Sequence, residues 1–217
     1  MRIKNFDLSN TQAFIFDLDG TLVHSEHVWA KAKMMVANEH GAQLVETQLE
    51  EFVGRSLNAF VDFFFASSSM GHKQQLLNEI KSLALNTLER EMFLVEGASA
   101  LIKEVSDHGF KIAICSSASM RAIELAIDKL EIGEYIDLVI SGDDVVNSKP
   151  DPEPYYLTLQ NLKIQANQAV VVEDSYAGYN SANAAQIPTI IVEQSDAHKF
   201  HEAVAVFGHL SEIKFLG

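Results

Sequence analysis

The stretch "FIFDLDGTLVHSE", residues 14–26, begins as an apolar run and then places Asp17 and Asp19 two positions apart. An uninterrupted apolar run of this kind is typical of a buried strand. Two carboxylates this close repel each other, and the edge of a core is a costly place for them because burial disfavours their charged forms. A chain that keeps both acids there needs a cation in the same place.

Four more apolar runs follow along the chain, and segments with helical spacing separate them. Strands that are buried on both faces read as continuous apolar runs, as in a parallel sheet covered by helices. The alternation therefore predicts an α/β fold with a doubly wound, Rossmann-like parallel sheet. The predicted strands are 13–16, 111–115, 138–140, 169–172 and 189–192, and the predicted helices are 98–108, 120–130, 153–162 and 176–185.

One long stretch interrupts this alternation. From residue 26 to about residue 92 the apolar spacing is helical and no strand is convincing. We expect an all-helical domain inserted directly after the first strand and its loop. The predicted domains are an α/β core of residues 1–24 and 94–217 and a helical cap of residues 25–93. The aromatic residues interpreted as the core of this insert are Phe60, Phe63, Phe64 and Phe65.

Polar side chains follow several of the predicted strands. Ligands of open parallel sheets bind beyond the carboxyl ends of the strands, so these loops are expected to meet at one rim. The residues concerned are Asp17, Asp19 and Thr21 after the first strand, Ser116 and Ser117 after the second, Glu173 and Asp174 after the fourth, and Lys149 ahead of a helix in "SKPDPEPYY". Hard oxygen ligands without Cys or His nearby favour Mg²⁺. One aspartate can then attack phosphorus while a neighbour acts as acid and base, and hydroxyls, loop amides and the lysine bind the phosphoryl oxygens.

The composition limits the remaining classes of function. The formal net charge is −14, and no cluster of Lys and Arg provides the basic face that a nucleic-acid-binding protein needs. Cys115 is the single cysteine of the 217 residues, which fits a reducing compartment. No apolar run is long enough to span a bilayer. We expect a cytoplasmic monomer that acts on a small phosphate ester, without a nucleic acid or membrane partner.

These motifs together resemble the four signatures of the haloacid dehalogenase superfamily of phosphatases. "DLDGTL" at 17–22 resembles the first, Ser116 the second, Lys149 the third and "VVEDSYAG" at 171–178 the fourth, in the expected order. The helical insert resembles the cap of the subgroup that contains β-phosphoglucomutase and small sugar-phosphate phosphatases. The segment near the C-terminus is similar to bacterial sugar-acid phosphate phosphatases such as 6-phosphogluconate phosphatase.

The resemblance implies a role for each residue. Asp17 is the expected nucleophile that forms an aspartyl-phosphate, and Asp19 is the expected acid for the leaving alcohol and base for the attacking water. The expected Mg²⁺ ligands are the Asp17 carboxylate, the Asp19 backbone carbonyl, Asp174, and Glu173 directly or through water. The expected phosphate-binding residues are Thr21, Ser116, Ser117 and Lys149, and the expected substrate-contacting residues of the cap are Gly54, Arg55 and Ser56.

Three positions bear on alternative functions. Trp29 stands where the mutase has a His beside its acid/base, which favours hydrolysis over the phosphomutase that is the main alternative. Asp19 argues against dehalogenation, because the dehalogenases of the superfamily lack an acid at that position. His24 stands where many relatives have Asp. A third hypothesis is a non-catalytic regulator that binds phosphate or metal on the same fold.

Simpler interpretations of the individual motifs stay open at the level of sequence. The Asp-x-Asp-Gly pattern is also that of an ordinary surface turn. Lys149 alone reads as a solvated loop lysine, and Ser116 and Ser117 read as caps of the helix near residue 120. Arg55 reads equally well as the partner of a surface acid. The functional interpretation therefore depends on whether the fold brings these loops together.

Overall fold

The computed structural model describes residues 1–50, 52, 55–192 and 197–216. The strands are β1 (Arg2–Ile3), β2 (Phe6–Asp7), β3 (Ala13–Phe16), β4 (Val23–His24), β5 (Phe93–Leu94), β6 (Lys111–Cys115), β7 (Leu138–Ile140), β8 (Ala169–Glu173), β9 (Thr189–Val192), β10 (Ala205–Phe207) and β11 (Phe215–Leu216). The α-helices are α1 (Glu26–Glu39), α2 (Glu46–Glu50), α3 (Leu57–Phe64), α4 (Met70–Glu91), α5 (Ala98–Asp107), α6 (Met120–Leu130), α7 (Glu153–Leu162) and α8 (Tyr176–Ala184).

Six strands form a parallel sheet in the order β10-β9-β8-β3-β6-β7. In the centre, Phe14 of β3 is level with Ile112 of β6 and with Val170 of β8. Four of the five predicted strands have the predicted bounds, and β8 continues one residue further, to Glu173. The predicted fold class, a doubly wound parallel α/β sheet, is confirmed.

Helices cover both faces of this sheet, and the residues of β3 explain how. All four are buried, and successive side chains of a strand point to opposite faces. Phe14 and Phe16 belong to a core that includes α5 and α6, whereas Ala13 and Ile15 belong to a second core against α7 and α8. The uninterrupted apolar run is therefore the consequence of burial on two sides.

The helical insert joins the sheet through a short ribbon. β4 and β5 pair antiparallel, with Val23 level with Leu94, so the chain leaves the core and returns to it at adjacent positions. These crossings lie next to the predicted domain boundaries at residues 24/25 and 93/94. As predicted, the described residues between 26 and 92 contain helices and no strand. α1 packs along α4 and gives the insert its long axis.

The aromatic cluster of the insert differs in part from the prediction. Phe60 and Phe65 are buried in its core, and Phe64 is half-buried. Phe63 is 64% exposed, so its assignment to the core was wrong. Its ring packs edge-on against the rings of Phe52 and Phe64, on the exposed side of α3.

Two further features complete the fold. The sixth parallel strand, β10, and the small antiparallel sheet β11-β1-β2 were not predicted. Each strand of the small sheet has only two residues, which is too short to show a periodic pattern. In the described part of the chain, no helix has both the length and the apolar character that crossing a bilayer requires.

Candidate active site

The carboxyl ends of β3, β6 and β8 meet at one rim of the sheet. The Asp17 amide donates to the Val172 carbonyl at 2.9 Å, one residue beyond the end of β3. The Ser116 amide donates to the Ile140 carbonyl at 3.0 Å in the same way. Backbone pairing therefore fixes where each loop begins, and the loops that were predicted to converge do so.

Lys149 bonds to groups at the carboxyl ends of all three strands. Its ammonium donates to Asp17 Oδ1 at 2.6 Å, to Glu173 Oε1 at 2.8 Å and to the Cys115 carbonyl at 2.9 Å. These three bonds use every N–H of the ammonium. Burial alone would lower the pKa of Lys149, but the charges of Asp17 and Glu173 outweigh burial and hold that pKa well above its ordinary value. The lysine is buried, charged and fixed, and is not a solvated loop residue.

Glu173 is held from all sides. Besides Lys149, the Tyr155 hydroxyl donates to its Oε1 at 3.4 Å. Its Oε2 accepts from the Asp174 amide at 2.9 Å, the Ser175 amide at 2.8 Å and the Ser175 hydroxyl at 3.0 Å. A β-carbon added to Gly178 would lie 1.5 Å from Oε1, so only glycine allows the carboxylate this position. Glu173 thus anchors both the lysine and the start of α8.

Asp17, Glu173 and Asp174 form an acidic cluster in which one carboxylate oxygen from each lies within 4.8 Å of the others. The Thr21 hydroxyl orients Asp174 by donating to its Oδ1 at 3.0 Å. Burial, reinforced by the charges of Glu173 and Asp17, raises the pKa of Asp174 well above its ordinary value. Burial likewise raises the pKa of Asp17, against the opposing charge of Lys149. One lysine leaves negative charge uncompensated here, and an all-oxygen ligand set of this kind fits a hard divalent cation.

Asp19 lies apart from this cluster and has hydroxyl partners. The Ser25 hydroxyl donates to its Oδ1, and the Ser116 hydroxyl donates to its Oδ2 at 3.5 Å. Burial raises the pKa of Asp19, although Ser25, Lys149 and Ser116 act in the opposite direction. A carboxyl whose pKa moves up from the acidic range is better suited to give a proton to a leaving group.

A cavity of about 690 Å³ lies between the sheet rim and the helical insert. Asp17, Asp19 and Ser116 line its core wall, together with Ser117. The cap wall consists mostly of residues from α1 and from the chain between α2 and α3. Those that matter below are Glu26, Trp29, Lys33, Phe52, Arg55 and Ser56.

The predicted phosphate-binding and cap residues do not all line the cavity. Thr21 is fully buried and directs its hydroxyl to Asp174, so it does not line the cavity with its side chain. Arg55 lies with its guanidinium 5.8 Å from the Phe52 ring centre, at the cavity. Ser56 also lines the cavity and caps α3 by accepting from the Ala59 amide. The prediction for Gly54 falls outside the described residues.

Sequence reasoning missed several residues that shape the site. Ser25 precedes α1 and reads as a helix cap, but its hydroxyl goes to Asp19 and makes no cap bond. Tyr155 and Ser175 read as an apolar helix residue and a cap. Lys33 and Glu26 read as ordinary polar positions of an amphipathic helix. Only the relative placement of cap and core reveals what these side chains face.

The comparisons with known proteins agree with this geometry. Residues 14–192 match the family described as haloacid dehalogenase-like hydrolase. The chain belongs to this family. One relative, "Validoxylamine A 7'-phosphate phosphatase" of Streptomyces hygroscopicus subsp. limoneus, is 29% identical over 93% of this chain and 95% of its own. Another relative, "Phosphorylated carbohydrates phosphatase" of Thermotoga maritima, is 28% identical over 82% of this chain and 83% of its own.

Solved structures show the same haloacid dehalogenase-like fold. β-Phosphoglucomutase from Clostridium difficile superposes with a TM-score of 0.85 at 22% identity, covering 94% of each chain. A haloacid dehalogenase-like hydrolase from Bacteroides fragilis superposes with a TM-score of 0.84 at 20% identity, covering 93% of this chain and 99% of its own. The predicted family, and the enzyme class of a hydrolase, are confirmed by the family match over residues 14–192 and by the phosphatase relatives.

Proposed function

We propose that this hydrolase is a phosphomonoesterase that removes phosphate from a small phosphorylated carbohydrate, a sugar or sugar-acid phosphate, with Mg²⁺ as cofactor. One observation carries the proposal. The Asp17 carboxylate is fixed by Lys149 at 2.6 Å, belongs to the acidic cluster and lines the same cavity as Asp19. A nucleophile, a charge partner and an acid thus meet where a phosphate ester can enter. The names of the two relatives, both phosphatases, support the substrate class.

The proposed reaction has two steps that share the same residues. An Asp17 oxygen attacks phosphorus, a bond forms between them, and the bond from phosphorus to the leaving oxygen breaks as Asp19 gives that oxygen its proton. Asp19, now ionised, takes a proton from a water whose oxygen attacks phosphorus. The bond between Asp17 and phosphorus then breaks and inorganic phosphate leaves. Lys149 opposes the effect of burial on Asp17 and favours its charged form, and Ser116 orients Asp19 from the core wall.

The acidic cluster fits Mg²⁺ by its chemistry and its shape. A β-carbon on Gly20 would lie 2.0 Å from Asp174 Oδ2, so the loop leaves that oxygen free of steric contact only because residue 20 is glycine. The proposed ligands are Asp17, the Asp19 carbonyl and Asp174. Both carboxylate oxygens of Glu173 already accept protein hydrogen bonds, which favours a contact between Glu173 and Mg²⁺ through a water molecule. When bound, Mg²⁺ withdraws charge from the phosphoryl oxygens and neutralises the acids.

We also propose that residues 25–93 act as a cap that covers the substrate. The cavity is bounded by both domains, so closure would exclude water from the reaction. Gly54, Arg55 and Ser56 are the proposed contacts to the leaving group. A planar guanidinium such as that of Arg55 suits hydroxyls and anionic oxygens.

The expectations about partners and location are also proposals. They are a small-molecule ester as substrate, no nucleic acid, a monomer, and the cytoplasm as the compartment. The net charge of −14 supports the absence of nucleic acid. Light scattering on the purified protein tests the monomer directly.

The decisive experiment replaces Asp17. Asp17→Asn keeps the size of the side chain and removes its nucleophilic charge, so hydrolysis of p-nitrophenyl phosphate should fall by about 10⁴-fold or more. The matched control is Asp107→Asn, an exposed aspartate at the end of α5, which should keep normal turnover. Removal of divalent cations with EDTA should abolish activity in the wild type, and Mg²⁺ should restore it. Substantial turnover by the Asp17 variant would refute the mechanism.

The same assay separates hydrolysis from phosphomutase activity. Trp29, on the cap wall, offers only an indole N–H and cannot accept a proton, which is consistent with simple hydrolysis. Incubation of the wild type with a hexose 1-phosphate and a trace of hexose bisphosphate should release inorganic phosphate. An isomerised hexose phosphate without phosphate release would instead establish the mutase. Ligand binding without turnover on any substrate would favour the non-catalytic regulator.

A further inference from the structure

Lys33 lies on the cap wall of the cavity and has neither a hydrogen bond nor an ion pair with any described residue. It is half-buried on α1, two helical turns after Glu26. Its ammonium lies over the ring of Phe60, 5.6 Å from the ring centre. Burial lowers the pKa of Lys33, although the charges of Glu26 and Asp19 oppose this. A cation that has lost water without gaining a hydrogen bond or an ion pair is costly unless a ligand supplies one.

The other lysines of the cap differ in this respect. Lys31 pairs with Glu91 at 3.6 Å, Lys73 with Asp62 at 2.7 Å and Lys81 with Asp143 at 3.2 Å. Each of the three has a carboxylate within ion-pair distance. In the part of the chain that the structure describes, Lys33 is the cap lysine that lacks one, and it is also the one that burial affects most clearly.

A second unpaired group lines the same cavity from the core wall. Ser119 Oγ is buried and has no hydrogen-bond partner in the described structure. Buried hydroxyls nearly always have a partner, so an orphan of this kind indicates a polar group that binds there. Lys33 and Ser119 belong to opposite domains, which means that the missing partner lies in the cavity itself.

The direction of the Lys33 side chain places the expected partner on the leaving group. Helical side chains lean toward the N-terminus of their helix. At that end of α1, the Ser25 hydroxyl binds Asp19, the proposed acid for the leaving oxygen. Lys33 therefore points toward the part of the cavity that the leaving group occupies, beyond the phosphoryl site. Without this cation, Glu26 and Asp19 would repel an anionic leaving group from the same space.

We propose that Lys33 binds a negatively charged substituent, a carboxylate or a second phosphate, on the leaving group of the substrate. This inference rests on the proposed phosphatase function and narrows its substrate class to anionic carbohydrate phosphates. The preferred substrate is a sugar-acid phosphate or a sugar bisphosphate and not a phosphorylated neutral polyol. Lys33 is thus a specificity-determining residue, and the chemistry at phosphorus stays with Asp17 and Asp19.

The test compares matched substrates on three variants. The substrates are 6-phosphogluconate, with a carboxylate; fructose 1,6-bisphosphate, with a second phosphate; sorbitol 6-phosphate, which is neutral beyond its ester; and p-nitrophenyl phosphate. The variants are Lys33→Met, which keeps the aliphatic bulk, Lys33→Arg, which keeps the charge, and Lys73→Met, which removes a paired cap lysine away from the cavity. Thermal melting checks that each variant is folded. Methionine is chosen at position 33 because its apolar side chain can keep the contact with the Phe60 ring.

The readout is the ratio of kcat/KM between an anionic substrate and sorbitol 6-phosphate. In Lys33→Met this ratio should fall by about 10- to 100-fold for the preferred anion, mainly through KM, because a charged hydrogen bond is lost. Lys33→Arg should recover much of the ratio, and Lys73→Met should leave it at the wild-type value. Lys33→Met should lower this ratio more for one of the two anionic substrates. A larger fall for 6-phosphogluconate identifies the carboxylate as the partner, and a larger fall for fructose 1,6-bisphosphate identifies the second phosphate.

Each remaining outcome counts against a defined statement. If the wild type hydrolyses the panel but the ratio is the same in Lys33→Met, the Lys33 inference fails and the phosphatase function stands. A wild-type preference for sorbitol 6-phosphate would also overturn the inference. If the wild type hydrolyses none of the four esters with Mg²⁺ present, the proposed function fails and the inference fails with it.

Discussion

The charged groups behind the core wall and three charged groups of the cap wall differ in how completely they are paired. Behind the core wall, next to Asp17, Lys149 donates three hydrogen bonds and Glu173 accepts five. On the cap wall, Lys33 and Arg55 have no ion pair and the Glu26 side chain has no hydrogen bond among the described residues. The groups proposed for the chemistry are therefore held in place before a substrate arrives, whereas those that face the leaving group depend on the ligand for partners. Catalytic groups must be held in position before bonds break. Groups that distinguish one substrate from another must be available to bind it and therefore lack partners within the protein.

The strongest test of this difference replaces one lysine by methionine on each side of the cavity. Lys149→Met leaves Asp17 and Glu173 buried without their cation, so unfolding free energy should fall by about 3–5 kcal/mol. Turnover of p-nitrophenyl phosphate should fall by at least about 10²–10³-fold, since the charge beside the nucleophile is lost. Lys33→Met removes an unpaired cation and should leave stability equal or higher. Urea unfolding in EDTA measures both variants, and similar losses in the two would remove the distinction between the walls.

A second test adds one methyl group beside Glu173 and another in the helical insert, and compares the effects on stability and turnover. In Gly178→Ala, the β-carbon would lie 1.5 Å from Glu173 Oε1, and the five donors around that carboxylate leave it no room to move. We expect a loss of about 2–3 kcal/mol from overpacking and a fall in turnover of about 100-fold as Asp17 and Lys149 lose their alignment.

The matched control is Gly71→Ala in the first turn of α4. A β-carbon at Gly71 meets nothing within 4 Å, so this cap variant should gain up to about 1 kcal/mol from helix propensity. Chemical denaturation measures both free energies, and the assay measures turnover. If Gly178→Ala is as stable and active as the wild type, Glu173 is not held as the core wall requires.

The same contrast explains how much the sequence predicted. The core wall follows from strands whose bounds are readable, because residues 13–16 and 111–115 are buried on both faces and their loops must meet at one rim. Asp17, Lys149 and Asp174 were therefore correctly expected to lie together. What the rim residues contact in detail was less predictable, since Thr21 turns to Asp174 and Ser25 turns to Asp19.

The cap wall was hardly predictable, for a physical reason. Helical periodicity indicates which side of α1 is apolar, but the rotation of α1 relative to the sheet depends on how the helical insert packs against the rest of the chain. Glu26 and Lys33 are two turns apart on one side of that helix, and no local pattern says that this side faces the acids of the core. Similarly, Phe63 belongs to an aromatic cluster by sequence but lies on its outer edge.

A third prediction uses pH to sharpen the description of the cap wall. In the metal-free protein, burial, together with the charge of Asp19, raises the pKa of Glu26 from 4.5 to about 7. The folded chain then keeps a proton that the unfolded chain releases between these values. The resulting stabilisation is fully present below pH 4.5 and is lost as pH rises through 7. Relative to Glu26→Gln, the wild type should lose about 2 kcal/mol of unfolding free energy between pH 5 and 8.

Urea unfolding in EDTA across this pH range gives the difference between wild type and variant. The control is Glu39→Gln, an exposed acid at the last position of the same helix, which should not change the slope. A constant difference between the wild type and Glu26→Gln at all pH values would mean that a protein or solvent partner compensates Glu26. The cap wall would then be paired as fully as the core wall.

The smallest expected effect concerns the contact that joins the walls. Lys81 of α4 meets Asp143, in the loop after β7, at 3.2 Å, and both side chains are more than one-third exposed. Water and salt screen such a pair, so a double-mutant cycle of Lys81→Met and Asp143→Ala should give a coupling of at most about 1 kcal/mol. Asp143→Ala alone should cost about 1 kcal/mol more, because Asp143 Oδ2 also accepts from the Met120 amide and caps α6.

The size of this coupling decides whether the cap is free to move. A coupling near zero that disappears at 0.5 M salt, with little change in KM, is expected of a cap that opens to admit substrate. A salt-independent coupling of about 3 kcal/mol would instead be the signature of a desolvated ion pair. In that case the cap would be locked onto the core before substrate binds, and the unpaired groups of the cap wall would have no route by which a large anionic ligand could reach them.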